Sequence, residues 1–88
     1  MTIIERYLEE HPNSRRLHQR AAGVFPDGVT HDMRQTSPFP LYAERASGAR
    51  KFDVDGHEII DYVMGHGSLL LGRQYPASTE AGMAQAQR

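Results

Sequence analysis

Apolar residues recur at helical spacing near the start of the chain, where Ile3, Ile4, Tyr7 and Leu8 fall on one face. Thr2, with Glu5 three positions later, has the form of a capping box. A first helix is therefore predicted to start at Thr2, and Pro12 should end it. Ser14 has the chemistry of an N-cap for a second helix running to about Val24. Its apolar positions, Leu17, Ala21 and Val24, are sparse and mostly small. Phe25-Pro26-Asp27-Gly28 reads as a turn, with proline pre-setting one position and glycine closing it. Residues 29–40 lose all periodicity, and Pro38 and Pro40 push their predecessors toward extended geometry. Strands are expected over 41–46, 50–54 and 58–63, separated by Ser47-Gly48 and Asp55-Gly56. Asp-Gly is a favoured two-residue hairpin turn, because its backbone needs the positive φ that glycine allows. The prediction is a three-stranded antiparallel meander. A glycine-punctuated apolar stretch, 64–72, follows, and Pro76 can open a last helix with Glu80 near its positive end. As it stands the fold class is α+β: N-terminal helices, a meander and a C-terminal helix.

Composition narrows the partners. The 88 residues carry 10 basic and 11 acidic side chains, well mixed, for a net charge of −1. No basic face for nucleic acid and no polybasic run for a membrane surface is present. The longest aliphatic run is Leu69-Leu70-Leu71, far short of the ~20 residues of a spanning helix. The first six residues lack the apolar core of a signal peptide. With no cysteine, a reducing compartment is favoured, and the expectation is a cytoplasmic protein.

Local chemistry gives few sites. His57-Glu58 with Asp61 resembles part of a zinc motif but has no second histidine at the required spacing. Asp53-Val54-Asp55-Gly56 begins like a calcium loop, yet the later ligands are missing. No metal site is expected. Gly65-His66-Gly67 has Leu70 where a dinucleotide loop needs its third glycine. No serine has a defensible base, so no catalytic residue is assigned. His31 and Asp32 read as a polar loop pair.

Several pieces together resemble one family. They are Phe25-Pro26-Asp27-Gly28-Val29, then Arg34, Pro38-Phe39-Pro40 and Glu44-Arg45-Ala46-Ser47-Gly48-Ala49-Arg50. The most specific run is Phe52-Asp53-Val54-Asp55-Gly56-His57-Glu58-Ile59-Ile60-Asp61-Tyr62, with Leu70-Leu71-Gly72 and Pro76 beyond it. Over roughly residues 17–81 the chain resembles the N-terminal part of class III pyridoxal-phosphate aminotransferases, in particular the glutamate-1-semialdehyde 2,1-aminomutase branch.

The resemblance implies a segment of a fold-type-I α/β enzyme, normally several times longer and homodimeric, acting on a small amino or keto acid. It divides the chain into an N-terminal helical segment (1–25), a substrate-side loop (26–40), a small-domain meander (41–63) and a glycine-rich loop and helix (64–88) leading toward a large domain. It implies that Arg34 binds the substrate carboxylate, for which a guanidinium fork is well matched. His31 and His66 stand where the aminomutases carry serine and tryptophan, and are candidate substrate-side residues; His66 is equally readable as a packing histidine. Asp27 and Arg73 also depart from the aminomutase pattern, which favours a related aminotransferase of another substrate. Ser78-Thr79-Glu80-Ala81 resembles the family's phosphate motif without its glycine, and the ordinary reading is an early helical turn.

The coenzyme needs a lysine amine, an acid for its ring nitrogen and a phosphate cradle. Lys51 is the sole lysine and sits on the predicted middle strand. No cofactor is expected to bind this chain alone. The expected function is that of a non-catalytic N-terminal fragment of such an enzyme. The alternative is a standalone module that associates with a full-length relative.

Overall fold

A computed structural model describes all of residues 1–88. Helix α1, Ile3–Glu10, starts as the sequence predicts. The Thr2 hydroxyl accepts the Glu5 N–H at 3.1 Å, and the Glu5 carboxylate accepts the Thr2 N–H at 2.7 Å. Arg6 and Glu10 pair one turn apart, at 2.8 Å. Of the predicted apolar face, only Tyr7 and Leu8 are half-buried, while Ile3 and Ile4 stay exposed.

Helix α2 is Pro12–Ala22, and its start corrects the sequence reading. Pro12 opens this helix as well as closing the first, since its fixed φ and missing N–H suit a first helical position. Ser14 lies inside the helix and is wholly buried, its Oγ accepting the Tyr42 N–H at 3.0 Å. The cap comes from 41 and 42 positions away. Asp55 accepts the Asn13 N–H at 2.9 Å and the Ser14 N–H at 3.1 Å, placing a negative charge on the helix's positive end. The helix stops at Ala22 rather than Val24, with Gly23 as its C-cap.

Two short 3₁₀ turns, Pro26–Gly28 and Asp32–Arg34, shape the otherwise irregular 26–40 stretch. The Ser37–Pro38 peptide is cis. The sheet then runs β1 (Ala43–Ser47), β2 (Arg50–Asp53), β3 (Glu58–Ile60), antiparallel in that order. All three strands are shorter than or shifted from the expectation, and at β1 and β3 side chains claim the flanking N–H groups. Tyr42 is held by Ser14 before β1, and the Asp61 carboxylate takes the Val63 and Met64 N–H groups after β3. Ala43 pairs with Asp53 and Arg45 with Phe52, so the ladder slips at Glu44. Arg45 lies over the Phe52 ring at 3.8 Å, and Arg50 pairs with Glu58 across β2 and β3.

The first hairpin turns at Gly48-Ala49, one residue later than predicted, with Gly48 at φ 59°. The second is not the expected two-residue Asp-Gly turn. The Asp53 N–H bonds the His57 carbonyl at 3.0 Å, which encloses Val54, Asp55 and Gly56. Gly56 takes the positive φ, 86°, that such a three-residue loop places before the returning strand. After the sheet, Arg73 pairs with Gly48 through two backbone bonds of 2.8 Å. Gly72 (φ 91°) passes so close that a Cβ there would meet the Gly48 Cα at 2.9 Å. Helix α3, Pro76–Ala86, buries none of its residues.

Phe39 is the one fully buried apolar side chain. Tyr7 covers it, ring centroids 4.9 Å apart, and donates its hydroxyl to the Phe39 carbonyl at 2.6 Å. His11, Ser14, Asp53 and Asp61 are the buried polar residues. The chain exposes 7076 Å², against about 5200 Å² for a globular protein of its mass. Its radius of gyration is 15.4 Å, against about 12 Å for a compact chain of this length. The excess includes Ile3, Ile4, Val24, Leu70, Leu71 and Met83, all more than 60% exposed. No helix is long and apolar enough to cross a membrane.

Candidate functional site

The 26–40 stretch is aimed by tight packing at its start. Gly28, buried at φ 72°, lies against His18, and a Cβ there would come within 2.8 Å of the imidazole. From this fixed point the chain passes Thr30 and turns at Asp32–Arg34. Arg34 is exposed, and its Nη1 donates to Thr30 Oγ1 at 2.6 Å. That bond orients the guanidinium and leaves its remaining N–H groups free. Arg34 lines a cleft of about 600 Å³ whose wall includes Tyr7, Phe25, Thr30, Pro40 and Tyr42. The cleft is mostly apolar, and Arg34 is the one cation in its lining.

His31 and His66 come together, with ring centroids 6.4 Å apart. Neither lines the cleft that Arg34 enters. The three sequence candidates thus form a pair and a separate arginine on one loop system. His31 Nδ1 accepts the Met33 N–H at 3.1 Å, so its ring stays tied to its own turn. His66 is carried by an unusual backbone run: Met64, Gly65, His66 and Gly67 all have positive φ, between 51° and 84°. Two are glycines, but Met64 and His66 each bear the cost of left-handed geometry, about 1–2 kcal/mol per residue. Strain of this kind persists where surrounding structure imposes it, and here the fixed point is Asp61.

Asp61 is buried, and its Oδ1 accepts the N–H groups of Val63 and Met64 at 3.1 and 3.0 Å. Its Oδ2 accepts Arg73 Nε at 2.7 Å. The Met64 N–H, then Arg73, outweigh burial and hold this carboxyl down to about 2. Asp53 is buried between β2 and α1. Burial pushes its carboxyl up, but the His57 N–H, the His57 ring and the Asp55 N–H outweigh that, leaving it below the ordinary value. Asp53, Asp55 and Asp61, the aspartates of the run that carries the family resemblance, are each spent on backbone N–H groups. That accounts physically for their spacing without calcium.

Sequence reasoning missed one cluster. His11, at the α1–α2 junction, meets Asp53 and His57 from the second hairpin. His11 Nε2 is 3.7 Å, and His57 Nδ1 3.0 Å, from the same oxygen, Asp53 Oδ2. The signal was available only as two histidines 46 positions apart, with nothing local to join them.

Lys51 lies in β2, half-buried, between Ala46 and Ile59 in the ladder, and its charge acts on Asp61. One strand amine without a phosphate cradle does not make a pyridoxal-phosphate site, so these residues alone do not fit that group. Thr79 occupies an early position of α3, as its ordinary reading expects, and its N–H bonds the Tyr75 carbonyl at 3.0 Å.

No family profile matches the chain. Individual proteins do. Over 75 residues it is 45% identical to the glutamate-1-semialdehyde 2,1-aminomutase of Methanopyrus kandleri, a match covering 85% of this chain and 17% of that protein. Its backbone superposes on a β-phenylalanine aminotransferase of Variovorax paradoxus with a TM-score of 0.89 at 26% identity, over 96% of this chain and 20% of that one. A glutamate-1-semialdehyde aminomutase of Pseudomonas aeruginosa, solved in complex with PMP, gives 0.87 at 28% identity, over 97% and 19%. The chain therefore spans about a fifth or less of the relatives it matches. Sequence and backbone together identify it as homologous to one segment of the glutamate-1-semialdehyde 2,1-aminomutases and of the fold-type-I class III pyridoxal-phosphate aminotransferases that share their structure.

Proposed function

We propose that this chain forms the substrate-side wall of a pyridoxal-phosphate-dependent aminotransferase or aminomutase and does not turn over by itself. The observation that carries the reading is Arg34, a lone cation oriented by Thr30 at the wall of an apolar cleft. A guanidinium held in this way offers parallel donors to a carboxylate, and the apolar surroundings strengthen the pair. The substrate class is a small amino or keto acid. In this reading residues 1–25 brace the loop 26–40, the meander 41–63 belongs to a small domain, and 64–88 lead toward the large one. The coenzyme would be held by residues outside this chain and would supply the electron sink for amino-group chemistry. His31 and His66 form a second polar point of the wall, apart from the cleft that Arg34 enters. The exposed apolar residues of α1 and of the 69–71 stretch pack on the remainder of the enzyme, a homodimer.

A chimera tests this: residues 1–88 replace the matching segment of the Pseudomonas aeruginosa aminomutase. The expected result is a coenzyme-loaded, active enzyme. Arg34→Gln should then raise KM for the amino acid substrate ten- to a hundredfold, the loss expected for about 1.5–3 kcal/mol of hydrogen bonding to a charged group. A loaded chimera with the same KM in both forms contradicts the assignment.

A further inference from the structure

The His11–Asp53–His57 cluster lies apart from the Arg34 cleft and has no part in the reading above. Its ligand atoms all lie within 4.8 Å of one another. We propose that it binds a divalent transition-metal ion, with the chemistry of Zn²⁺, through His11 Nε2, Asp53 Oδ2 and the His57 imidazole. This replaces the sequence expectation of no metal site.

Four features of the geometry carry it. The first is spacing: tetrahedral zinc with bonds of about 2.0–2.1 Å sets its ligands about 3.4 Å apart. The separations onto Asp53 Oδ2, 3.7 Å from His11 and 3.0 Å from His57, bracket that value. The second is tautomer. His11 Nδ1 lies 2.9 Å from the Tyr7 carbonyl, which can only accept, so Nδ1 carries the proton. The neutral ring then turns the lone pair of Nε2 toward a carboxylate oxygen beyond hydrogen-bond reach. Two electron-rich atoms facing each other in a buried place call for a cation between them, a second proton or a metal.

The third feature is the surrounding shell. Metal-bound imidazoles usually donate their other N–H to a carbonyl, and metal-bound carboxylates are themselves hydrogen-bonded. His11 meets the first through the Tyr7 carbonyl, and Asp53 Oδ1 meets the second by accepting the N–H groups of Asp55 and His57 at 2.9 and 2.8 Å. Asp53 Oδ2 is met by the His57 ring at 3.0 Å, a contact the ion would take over. The fourth is access. The His11 and Asp53 side chains are 11% and 0% exposed, but that of His57 is 40% exposed, which gives an entry path and room for water as fourth ligand. The His11 ring is also fixed between Tyr7 and His57, with centroids 4.5 and 4.6 Å away. The ion would join the α1–α2 junction to the second hairpin, a structural rather than a catalytic role.

The test uses the 88-residue chain without a histidine tag. It is titrated with Co²⁺ and then Zn²⁺, read by the visible absorption of cobalt, by native mass spectrometry and by circular dichroism. One equivalent of cobalt should bind with tetrahedral absorption and be displaced by zinc. His57→Gln and His11→Gln should each weaken uptake at least tenfold, and His31→Gln, outside the cluster, should leave it unchanged. Helical structure that appears only with zinc would support the site equally, since binding then drives folding. No saturable uptake overturns the proposal, and so does uptake that His31→Gln weakens as much as His57→Gln. The His57→Gln variant, altered at a half-exposed ring, keeps the test clear of gross misfolding.

Discussion

The junction of α2 with the second hairpin and the C-terminal helix α3 are built on opposite terms. At the junction nearly everything buried is polar: the Ser14 hydroxyl bonds Tyr42 28 positions on, His11 faces Asp53, and Asp55 caps α2 from 41 and 42 positions away. Helix α3 has apolar and small residues on all sides, buries none of them, and touches the fold chiefly through its lead-in. The difference separates two sources of order. Carboxylates spent on backbone N–H groups define the shape of the small unit without a large core. The apolar surface left over is material for packing on something else.

The largest break in that comparison should come from Asp53→Ala. It strands the Asp55 and His57 N–H groups in a buried place and removes the charge between two imidazoles. A loss of about 2–4 kcal/mol is expected in urea unfolding. Asp55→Ala removes the remote cap of α2 and should cost about 1–2 kcal/mol, with helical signal lost from 12–22.

These two residues also mark the limit of what the sequence could say. The capping box of Thr2 and Glu5 was legible because both partners lie within one turn. The cap by Asp55 was not, because it depends on which loop reaches which helix. Ser14 has the chemistry of an N-cap, yet Pro12 sits in the first helical position and Ser14 is drawn inward to Tyr42. The three strands were visible in outline. Their ends were not, since Ser14 and Asp61 side chains, rather than local propensity, decide where pairing stops. Gly65 and Gly67 announced a special backbone, but the positive φ of Met64 and His66 has no residue-type signal. Arg34 was found through resemblance; its orientation by Thr30 belongs to the fold alone.

Acid sharpens the comparison. Asp61 titrates near 2 when folded and near 3.8 otherwise, and Asp53 is depressed in the same direction. The unfolded chain therefore takes up protons first as the pH falls. The stability these groups supply is complete above the unfolded value, and it drains away from about pH 4 toward pH 2. Asp61→Asn should flatten the fall in melting temperature over that window. A fall of equal steepness in the variant would remove Asp61 from the account. At the small end, Met83→Ser in α3, at a side chain 64% exposed, should change stability by less than about 0.5 kcal/mol.

Amide hydrogen exchange on the 88-residue chain measures the contrast most directly. The amides of Asn13, Ser14 and Tyr42 and those of β2 should be the slowest to exchange, with α3 exchanging at nearly the rate of an open helix. Protection running evenly through Pro76–Ala86, as strong as at the junction, would contradict the account.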